Sequence, residues 1–258
     1  MKFSTLTAIA SAAALSLCAG AAFAQAKTDG QWRGLAGASI STTSGNSSTN
    51  NILLNVDMAR LTAADKISTG GYINRGSSKA AGVTTTTNNK WGLNGQYDYN
   101  LTPRTYVFGK LGLEGDKVID LSLRRTLAGG MGYKVINTAT TTFDVFGGLA
   151  SIHSKYNSNQ LIGGVTGTGF STTSLLLGEE SSHKLSDAIF FKQRVELYPR
   201  LSGDGGTLAK ATANLGVALS AGMSLNVGLV DNYNASPGAG LKKNDLALFT
   251  GVSMNLGK

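Results

Sequence analysis

The 258-residue chain has little cysteine and no long apolar run beyond its first residues. Its only cysteine, Cys18, lies in a predicted export signal, so the remaining chain has no thiol for a disulfide or a thiolate metal site. No later stretch reaches the roughly 18 apolar residues that a membrane-spanning helix needs. The mean hydropathy of -0.00 likewise argues against a helical membrane protein. A chain with 34 glycines and many threonines and asparagines disfavours long helices.

The first residues, Met1–Ala24, have the pattern of a secretory signal peptide. Lys2 supplies the positive charge, an apolar stretch runs to Ala22, and Ala22-Phe23-Ala24 is an A-x-A cleavage site. Leu17 stands before Cys18, where a lipoprotein signal has a small residue, so we expect no lipid anchor. We therefore expect a cleaved segment at residues 1–24 and a single exported domain at residues 25–258.

The net charge of +8 gives only weak information about partners. Without Lys2 the count is 22 Lys+Arg against 15 Asp+Glu, or +7. The basic residues are scattered along the chain, which predicts no nucleic-acid partner. A basic exported protein suits anionic lipopolysaccharide or anionic solutes, although charges spread over loops and inner walls account for the excess equally well.

The last stretch, Asp245–Lys258, alternates between an apolar and a small or polar face. Leu246, Leu248, Val252 and Met254 share the first face, which is the period of a strand with one oily and one wet side. Its length is about the ten residues that a tilted strand needs to cross a bilayer. If this strand pairs with the first one, the sheet becomes a barrel without free edges.

The rest of the chain repeats this alternation, for a total of about twelve strands, an even number as in bacterial barrels. The predicted strands are Leu35–Ser41, Asn51–Arg60, Lys66–Arg75, Lys90–Leu101, Thr105–Glu114, Leu121–Val135, Thr142–His153, Phe170–Glu180, Ala188–Tyr198, Ala209–Leu219, Met223–Tyr233 and Asp245–Lys258.

Short and long connections alternate between these strands, as periplasmic turns and outer loops do in such barrels. The short connections are Leu61–Asp65, Asn100–Arg104, Asn137–Thr140 and Ser220–Gly222. The long ones are Thr42–Asn50, Gly76–Asn89, Ser154–Gly169 and Asn234–Asn244.

The wet faces carry nine charged side chains that we predict to line the lumen. They are Asp57, Lys90, Asp98, Lys110, Glu114, Arg124, Lys192, Arg194 and Glu196. About twelve strands enclose an interior wider than one apolar face readily fills, which favours apolar side chains outside and a polar lumen. In the sixth strand we expect Leu121, Leu123, Leu127, Met131 and Tyr133 to face outward. A soluble two-sheet sandwich could also use these strands and stays open.

Several stretches carry a family resemblance across most of the exported chain. They are Trp32-Arg33-Gly34-Leu35-Ala36-Gly37 with Ser44-Gly45-Asn46-Ser47, Leu101 to Gly109, Gly129-Gly130-Met131-Gly132-Tyr133, and Pro237-Gly238 to Asp245. In these stretches the chain resembles the bacterial family of salt-induced outer membrane proteins. The resemblance implies an outer-membrane location and a link to osmotic conditions, and it implies no reaction.

Few residues suggest catalysis. Ser151 and His153 lie two apart on one strand face, an arrangement similar to the Ser and His of outer-membrane phospholipase, but in reversed order. A polar pair at the membrane interface explains them more simply. His183 follows Glu179 and Glu180, where a metal site is conceivable and a solvated turn is the simpler interpretation. The glycine-rich Gly163–Gly169 lacks the Lys-Ser/Thr of a phosphate-binding loop.

The sequence thus predicts an all-β, up-and-down transmembrane barrel in the outer membrane of a Gram-negative bacterium. We expect a monomer without catalytic residues, cofactor or metal, in contact with lipid, lipopolysaccharide and the barrel-assembly machinery. The lumen charges favour a narrow, porin-like channel for small solutes, or they pair across the lumen and fill it in a structural envelope barrel. The alternatives are a phospholipase-like hydrolase and a soluble periplasmic β-sandwich binding protein.

Overall fold

The computed structural model describes residues 28–43, 47–220, 222–238 and 240–257, so the predicted signal peptide lies outside the described residues. Thirteen strands make up nearly all of the described chain. They are β1 Trp32–Thr43, β2 Ser47–Leu61, β3 Asp65–Ala80, β4 Val83–Asn100, β5 Thr105–Asp116, β6 Leu121–Asn137, β7 Thr141–Ile162, β8 Val165–Lys184, β9 Ile189–Tyr198, β10 Arg200–Gly203, β11 Leu208–Ser220, β12 Met223–Asn234 and β13 Asn244–Leu256. Within these ranges no helix is long and apolar enough to span a membrane.

The strands form one antiparallel sheet that closes on itself. Each strand pairs with its neighbours in the chain, and the last strand, β13, pairs with β1. The predicted closure by the C-terminal strand is therefore confirmed. A two-sheet sandwich is wrong, because a single sheet runs around the whole wall.

Strands β9 and β10 occupy one position in the wall, so the barrel has twelve strands. β9 pairs with β8 from Leu177 to Lys184, and β10 continues along β8 at Thr172–Ser174. Pro199 separates them because it has no N–H for the ladder. Its carbonyl still accepts a hydrogen bond from the backbone N–H of Leu175, with an N···O distance of 3.0 Å.

The apolar side chains point away from the lumen, as predicted. The exposed set includes Leu54 on β2, Leu93 on β4, Leu127 on β6, Leu149 on β7 and Leu248 on β13. In the middle of most strands, the intervening residues are buried or half-buried on the inner side. A monomeric soluble protein rarely exposes so continuous an apolar surface, whereas a barrel wall in lipid requires one.

Three long outer connections were predicted wrongly. Residues 42–50, 76–89 and 154–169, expected as loops, mostly continue the strands. In the last two, only Ala81–Gly82 and Gly163–Gly164 turn. Both residues of each turn have positive φ, 49° and 81° in the first and 60° and 87° in the second, which is the geometry of a tight two-residue hairpin. The threonine-rich Val83–Thr87 adds β propensity where no membrane imposes an apolar face.

The orientation of Leu121 was also predicted wrongly. Leu121 is 3% exposed and faces inward, where it packs with Tyr156, Ile162 and Phe170. The ladder between β6 and β7 shifts between Leu121 and Leu123, and a one-residue shift reverses which face a side chain occupies.

Candidate functional site in the barrel lumen

A cavity of about 690 Å³ lies at the end of the barrel that carries the short turns, which we call the turn end. The turns 62–64, 101–104 and 138–140 surround it. Its charged lining comes from six strands, with Asp65, Lys66, Asp98, Lys134, Asp144, Glu180 and Lys192. This vestibule is large enough for many water molecules, each of which occupies about 30 Å³ in the liquid.

Ion pairs that cross the lumen lie beyond the vestibule. Lys210 Nζ on β11 is 2.9 Å from Glu114 Oε2 on β5, and Arg124 Nη1 on β6 is 2.7 Å from Glu114 Oε1. Strands β5 and β11 are separated along the wall by β6, β7, β8 and β9. The bond between Lys210 and Glu114 therefore spans the interior rather than following the wall.

Arg194 on β9 lies at the centre of this network. Its Nη2 is 2.6 Å from Glu196 Oε1 and donates to Gln96 Oε1 on β4 at 3.1 Å, and its Nη1 pairs with Glu180. Its guanidinium also stacks 4.8 Å from the ring centroid of Phe146. Several partners thus compensate the desolvation of this one cation.

Two further contacts connect distant strands. Lys110 on β5 pairs with Glu196 on β9, deep in the middle of the lumen. Near the opposite end from the turns, Lys90 Nζ on β4 is 3.3 Å from Asp116 Oδ2 and 2.6 Å from Asp245 Oδ2 on β13. Bridges therefore cross the interior at two levels.

Apolar side chains fill much of the remaining space between β5 and β8. The rings of Phe108 and Phe146 meet edge to face at 5.8 Å, and Leu176 and Ile152 pack in the same cluster. Gly178 lets the Phe146 ring lie directly on the backbone, since a Cβ there would overlap the ring. These contacts explain how inward apolar residues coexist with the buried charges.

The free space decreases beyond the vestibule. A cavity of about 100 Å³ lies among the ion pairs, lined by Lys110, Glu114, Arg124 and Arg194. One of about 50 Å³ lies behind β1, β2, β12 and β13, and one of about 20 Å³ lies near Tyr156 and Phe170. The smaller cavities thus lie among the charged and aromatic side chains of the lumen.

The structure places the side chains of all nine predicted lumen residues on the inner face of the wall. Lys110, Glu114, Arg124, Lys192, Arg194 and Glu196 belong to the central ion pairs. Asp98 Oδ2 lies 3.6 Å from Lys66 Nζ, Lys90 bridges toward β13, and Asp57 borders the 50 Å³ cavity. That these residues line an open pore stays a prediction.

The sequence argument missed several members of the same network. They are Lys66, Gln96, Asp116, Asp144, Glu180, Lys210 and Asp245. Alternation alone placed Lys210 and Asp144 on polar faces, which was the available signal. Glu180 gave no such signal, because it shares its inner face with the apolar Leu176 and Phe170.

The hydrolase hypothesis paired His153 with Ser151, but His153 is hydrogen-bonded to a different serine. Its Nδ1 lies 2.9 Å from the Ser171 hydroxyl on β8, and both His153 and Ser151 are exposed on the outer wall. His183 Nε2 lies 3.2 Å from the Ser181 hydroxyl. The centroids of the His183 and Phe191 rings are 6.1 Å apart. No group of three or more metal-ligating His, Cys, Asp or Glu side chains occurs among the described residues.

The chain is similar to solved structures of bacterial outer-membrane barrels. The translocator domain of the autotransporter NalP from Neisseria meningitidis is 14% identical, with a TM-score of 0.48 and 90% of each chain covered. The NanC porin is 8% identical, with a TM-score of 0.47, 88% of this chain covered and 99% of that one. An outer membrane channel from Pseudomonas putida F1 is 11% identical, with a TM-score of 0.47, 88% of this chain covered and 96% of that one.

No match was found among curated proteins. A family model matches residues 36–255, which is most of the chain, and its description assigns no function and says nothing of salt induction. The chain belongs to the family described as "Protein of unknown function, DUF481".

Proposed function

We propose that the protein is a passive channel of narrow bore for small polar solutes. The observation that carries this proposal is the bridge between Lys210 and Glu114, which spans the lumen above an open vestibule. Paired charges on opposed walls make a polar constriction, which restricts the size and the charge of what can pass.

The polar character of the constriction supports a channel over an inert wall. A lumen that serves only as a core would be more stable with well-packed apolar residues, because buried ion pairs often cost more in desolvation than they return. Here the cavity of about 100 Å³ lies directly among Lys110, Glu114, Arg124 and Arg194. This cavity shares Lys66 and Glu180 with the lining of the vestibule, so polar side chains continue from one to the other.

The proposal includes the location and the partners. The exposed apolar wall supports insertion in the outer membrane of a Gram-negative bacterium, with the turn end toward the periplasm. Lipid and lipopolysaccharide would then surround a monomer that the barrel-assembly machinery inserts after cleavage of residues 1–24. The proposal assigns no reaction to the protein.

Single-channel recording of the refolded mature protein in a planar bilayer tests the proposal. We expect small, discrete conductance steps for the wild type. The double variant Glu114→Ala/Lys210→Ala removes the cross-lumen bridge and should conduct more, because the constriction widens. Lys192→Glu reverses one charge in the vestibule and should shift the ion selectivity toward cations.

A matched control removes an ion pair outside the constriction. Lys184 Nζ lies 2.7 Å from Asp187 Oδ1 in the turn between β8 and β9, and the Asp187 side chain is 99% exposed. Lys184→Ala/Asp187→Ala should leave the conductance unchanged. The channel proposal is wrong if demonstrably inserted wild type and widened variant are both silent, or if only the widened variant conducts.

A further inference from the structure

The ladder that closes the barrel is short. β1 and β13 pair from Gly34–Leu256 to Ala38–Val252, and across the described residues the pairing stops there. The flanking ladders continue, because β1 pairs with β2 as far as Thr43, and β13 pairs with β12 as far as Asn244. Beyond this ladder, Ser39–Thr43 of β1 and Asn244–Gly251 of β13 each have one edge without a paired strand. We call the space between these two edges the gap.

Just beyond the ladder, β1 and β13 still touch at Ser39, Thr250 and Gly251. The Ser39 hydroxyl donates to the backbone carbonyl of Thr250 at 2.5 Å, and a Cβ at Gly251 would lie 2.6 Å from the Ala38 carbonyl oxygen. At this point a side chain has already replaced a backbone donor. Beyond it, no ladder joins Ser39–Thr43 to Asn244–Thr250.

The position of the gap places it within the membrane. A strand rises about 3.3 Å per residue and tilts by about 40°, which gives about 2.5 Å per residue along the membrane normal. Ile40 is six residues beyond Gly34, so it lies about 15 Å above the base of the ladder, within an apolar band about 25 Å tall. The gap therefore faces the half of the bilayer that lies away from the turn end.

Apolar side chains border the gap on its outer side. Ile40 on β1 is 72% exposed and Leu248 on β13 is 74% exposed, and Leu246 follows at 58%. Unpaired backbone groups are unfavourable in lipid unless water or another partner reaches them. An opening that connects to the lumen supplies that water and places these side chains at its outer rim.

The lumen behind the gap combines an apolar cluster with polar side chains. Phe249 on β13 packs with Leu53, Tyr72, Val230 and Ala247. Phe249, Leu53 and Val230 also line a cavity of about 50 Å³, together with Asp57 and Lys192. The Phe249 ring lies over Gly228 of β12, away from β1. The central ion pairs of the lumen lie elsewhere, between β5, β9 and β11.

We propose that the gap between β1 and β13 is a lateral opening that admits hydrocarbon chains between the lumen and the outer leaflet. The occupant is an apolar or amphiphilic molecule with an acyl-like chain, whose chain passes between Ile40 and Leu248 to reach Phe249. Its polar end would stay near the hydroxyls of Ser39 and Ser41 on the β1 edge. The inference goes beyond the proposed channel for small polar solutes, because it gives apolar chains a separate, lateral route.

Fluorescence quenching by brominated chains tests the opening. In a background with Trp32→Phe and Trp91→Phe, the Phe249→Trp variant reports on the inner side of the gap. Phe108→Trp is the matched control, because Phe108 is also inward but lies behind continuous ladders to β4 and β6. The probes are a phospholipid with brominated acyl chains in the vesicles and, separately, a free brominated fatty acid added to unbrominated vesicles.

An engineered disulfide between β1 and β13 should hold the gap closed. If the ladder continued in register, Ile40 would face Thr250, so oxidation of Ile40→Cys/Thr250→Cys in the reporter background should draw the edges together. Ile40→Cys/Ile52→Cys joins β1 to its paired neighbour β2 and leaves the gap untouched. The exported chain has no other cysteine, so each variant forms one defined bond.

We expect quenching of Phe249→Trp that oxidation of the gap-closing pair abolishes and reduction restores, with no such loss for the control pair. Quenching by the phospholipid identifies lipid chains as the occupant, and quenching by the fatty acid alone identifies a free amphiphile. The inference is overturned if neither probe quenches Phe249→Trp more than Phe108→Trp, or if oxidation changes nothing.

If Phe249→Trp does not fold, Ser41→Trp replaces it as the reporter, because Ser41 is exposed on the β1 edge of the gap. The expected and the contradicting results for quenching are the same. None of these readouts measures conductance. A silent bilayer with quenching that depends on oxidation would contradict the channel alone, and conductance without such quenching would contradict the lateral opening alone.

Discussion

The wall between β5 and β11 and the wall around the β1–β13 seam differ in what holds them. Ladders continue along the first, and Arg194, Glu196 and Glu114 connect its strands across the lumen. Among the described residues the seam pairs over Gly34–Ala38 only, and an ion pair from Lys90 to Asp245 reaches β13 beyond that ladder. Continuous ladders and several ion pairs thus support the first wall together, whereas the seam has a shorter ladder and fewer such contacts.

The largest expected effect is the loss of Arg194 from the first wall. Arg194→Met leaves Glu180 and Glu196 without one of their cations in a poorly solvated site, so we expect a loss of about 3–5 kcal/mol in the free energy of unfolding. Urea unfolding in lipid vesicles measures it. Arg125→Met, an exposed arginine on the outer wall, should change stability by less than about 0.5 kcal/mol. Equal effects would contradict the importance of the network.

A matched pair of aromatic truncations compares the two walls directly. Phe146 is 8% exposed between Phe108 and Arg194, so Phe146→Ala should cost about 3–5 kcal/mol. Phe249 is only partly buried beside the seam, and Phe249→Ala should cost less, about 2 kcal/mol, because less apolar area leaves water or lipid on folding. Urea unfolding measures both losses in the free energy of unfolding. A larger loss for Phe249→Ala than for Phe146→Ala would show that the wall at the seam is tightly packed.

The sequence predicted the parts of the barrel where the membrane imposes alternation. Twelve strand centres and the inward direction of Lys110, Glu114 and Arg194 follow from a period of two that lipid enforces on the outer face. The same rule fails above the membrane, where Val83–Thr87 pairs without any apolar face, and at Leu121, where a bulge reverses the alternation.

The pairing across the lumen could not be predicted from the sequence. Whether Lys210 reaches Glu114 depends on the stagger of the strands around the whole barrel, and no local pattern records that stagger. The short seam is equally hidden, because Ser39–Thr43 and Asn244–Thr250 both alternate as well as any paired strand.

A smaller effect is expected from Asn226 on β12, the strand next to β13 and thus close to the β1–β13 seam. Its Nδ2 donates to the Ser253 hydroxyl at 2.7 Å in a buried position, so Asn226→Ala should cost about 1–3 kcal/mol by leaving that hydroxyl unpaired. Asn244→Ala removes an exposed contact to Asp231 at 3.4 Å and should cost less than about 0.5 kcal/mol. If both cost the same, the polar contact beside the seam contributes nothing specific.

The smallest expected effect lies beyond the membrane, in the loop between β5 and β6. Hydrogen bonds from Ser158 and Asn157 lower the pKa of the Asp120 carboxyl below its usual value of 3.8, and the Ser158 backbone N–H donates to Asp120 Oδ2 at 2.8 Å. A lowered folded-state pKa means that this contact is fully present above about pH 4 and is lost as the pH falls through the lowered value. Asp120→Asn keeps a side chain that tolerates the residue's φ of 60° and removes the charge.

Hydrogen exchange at the Ser158 amide separates this contact from the stability of the wall. At pH 7 the protection of that amide should be lower in Asp120→Asn than in the wild type, while the urea unfolding midpoint stays the same. Equal protection in the two proteins would mean that the β7 extension needs no anchor. The bonds from Asp120 to Asn157 and Ser158 do not involve Glu114, Arg194 or Lys210, so their loss breaks no ion pair across the lumen.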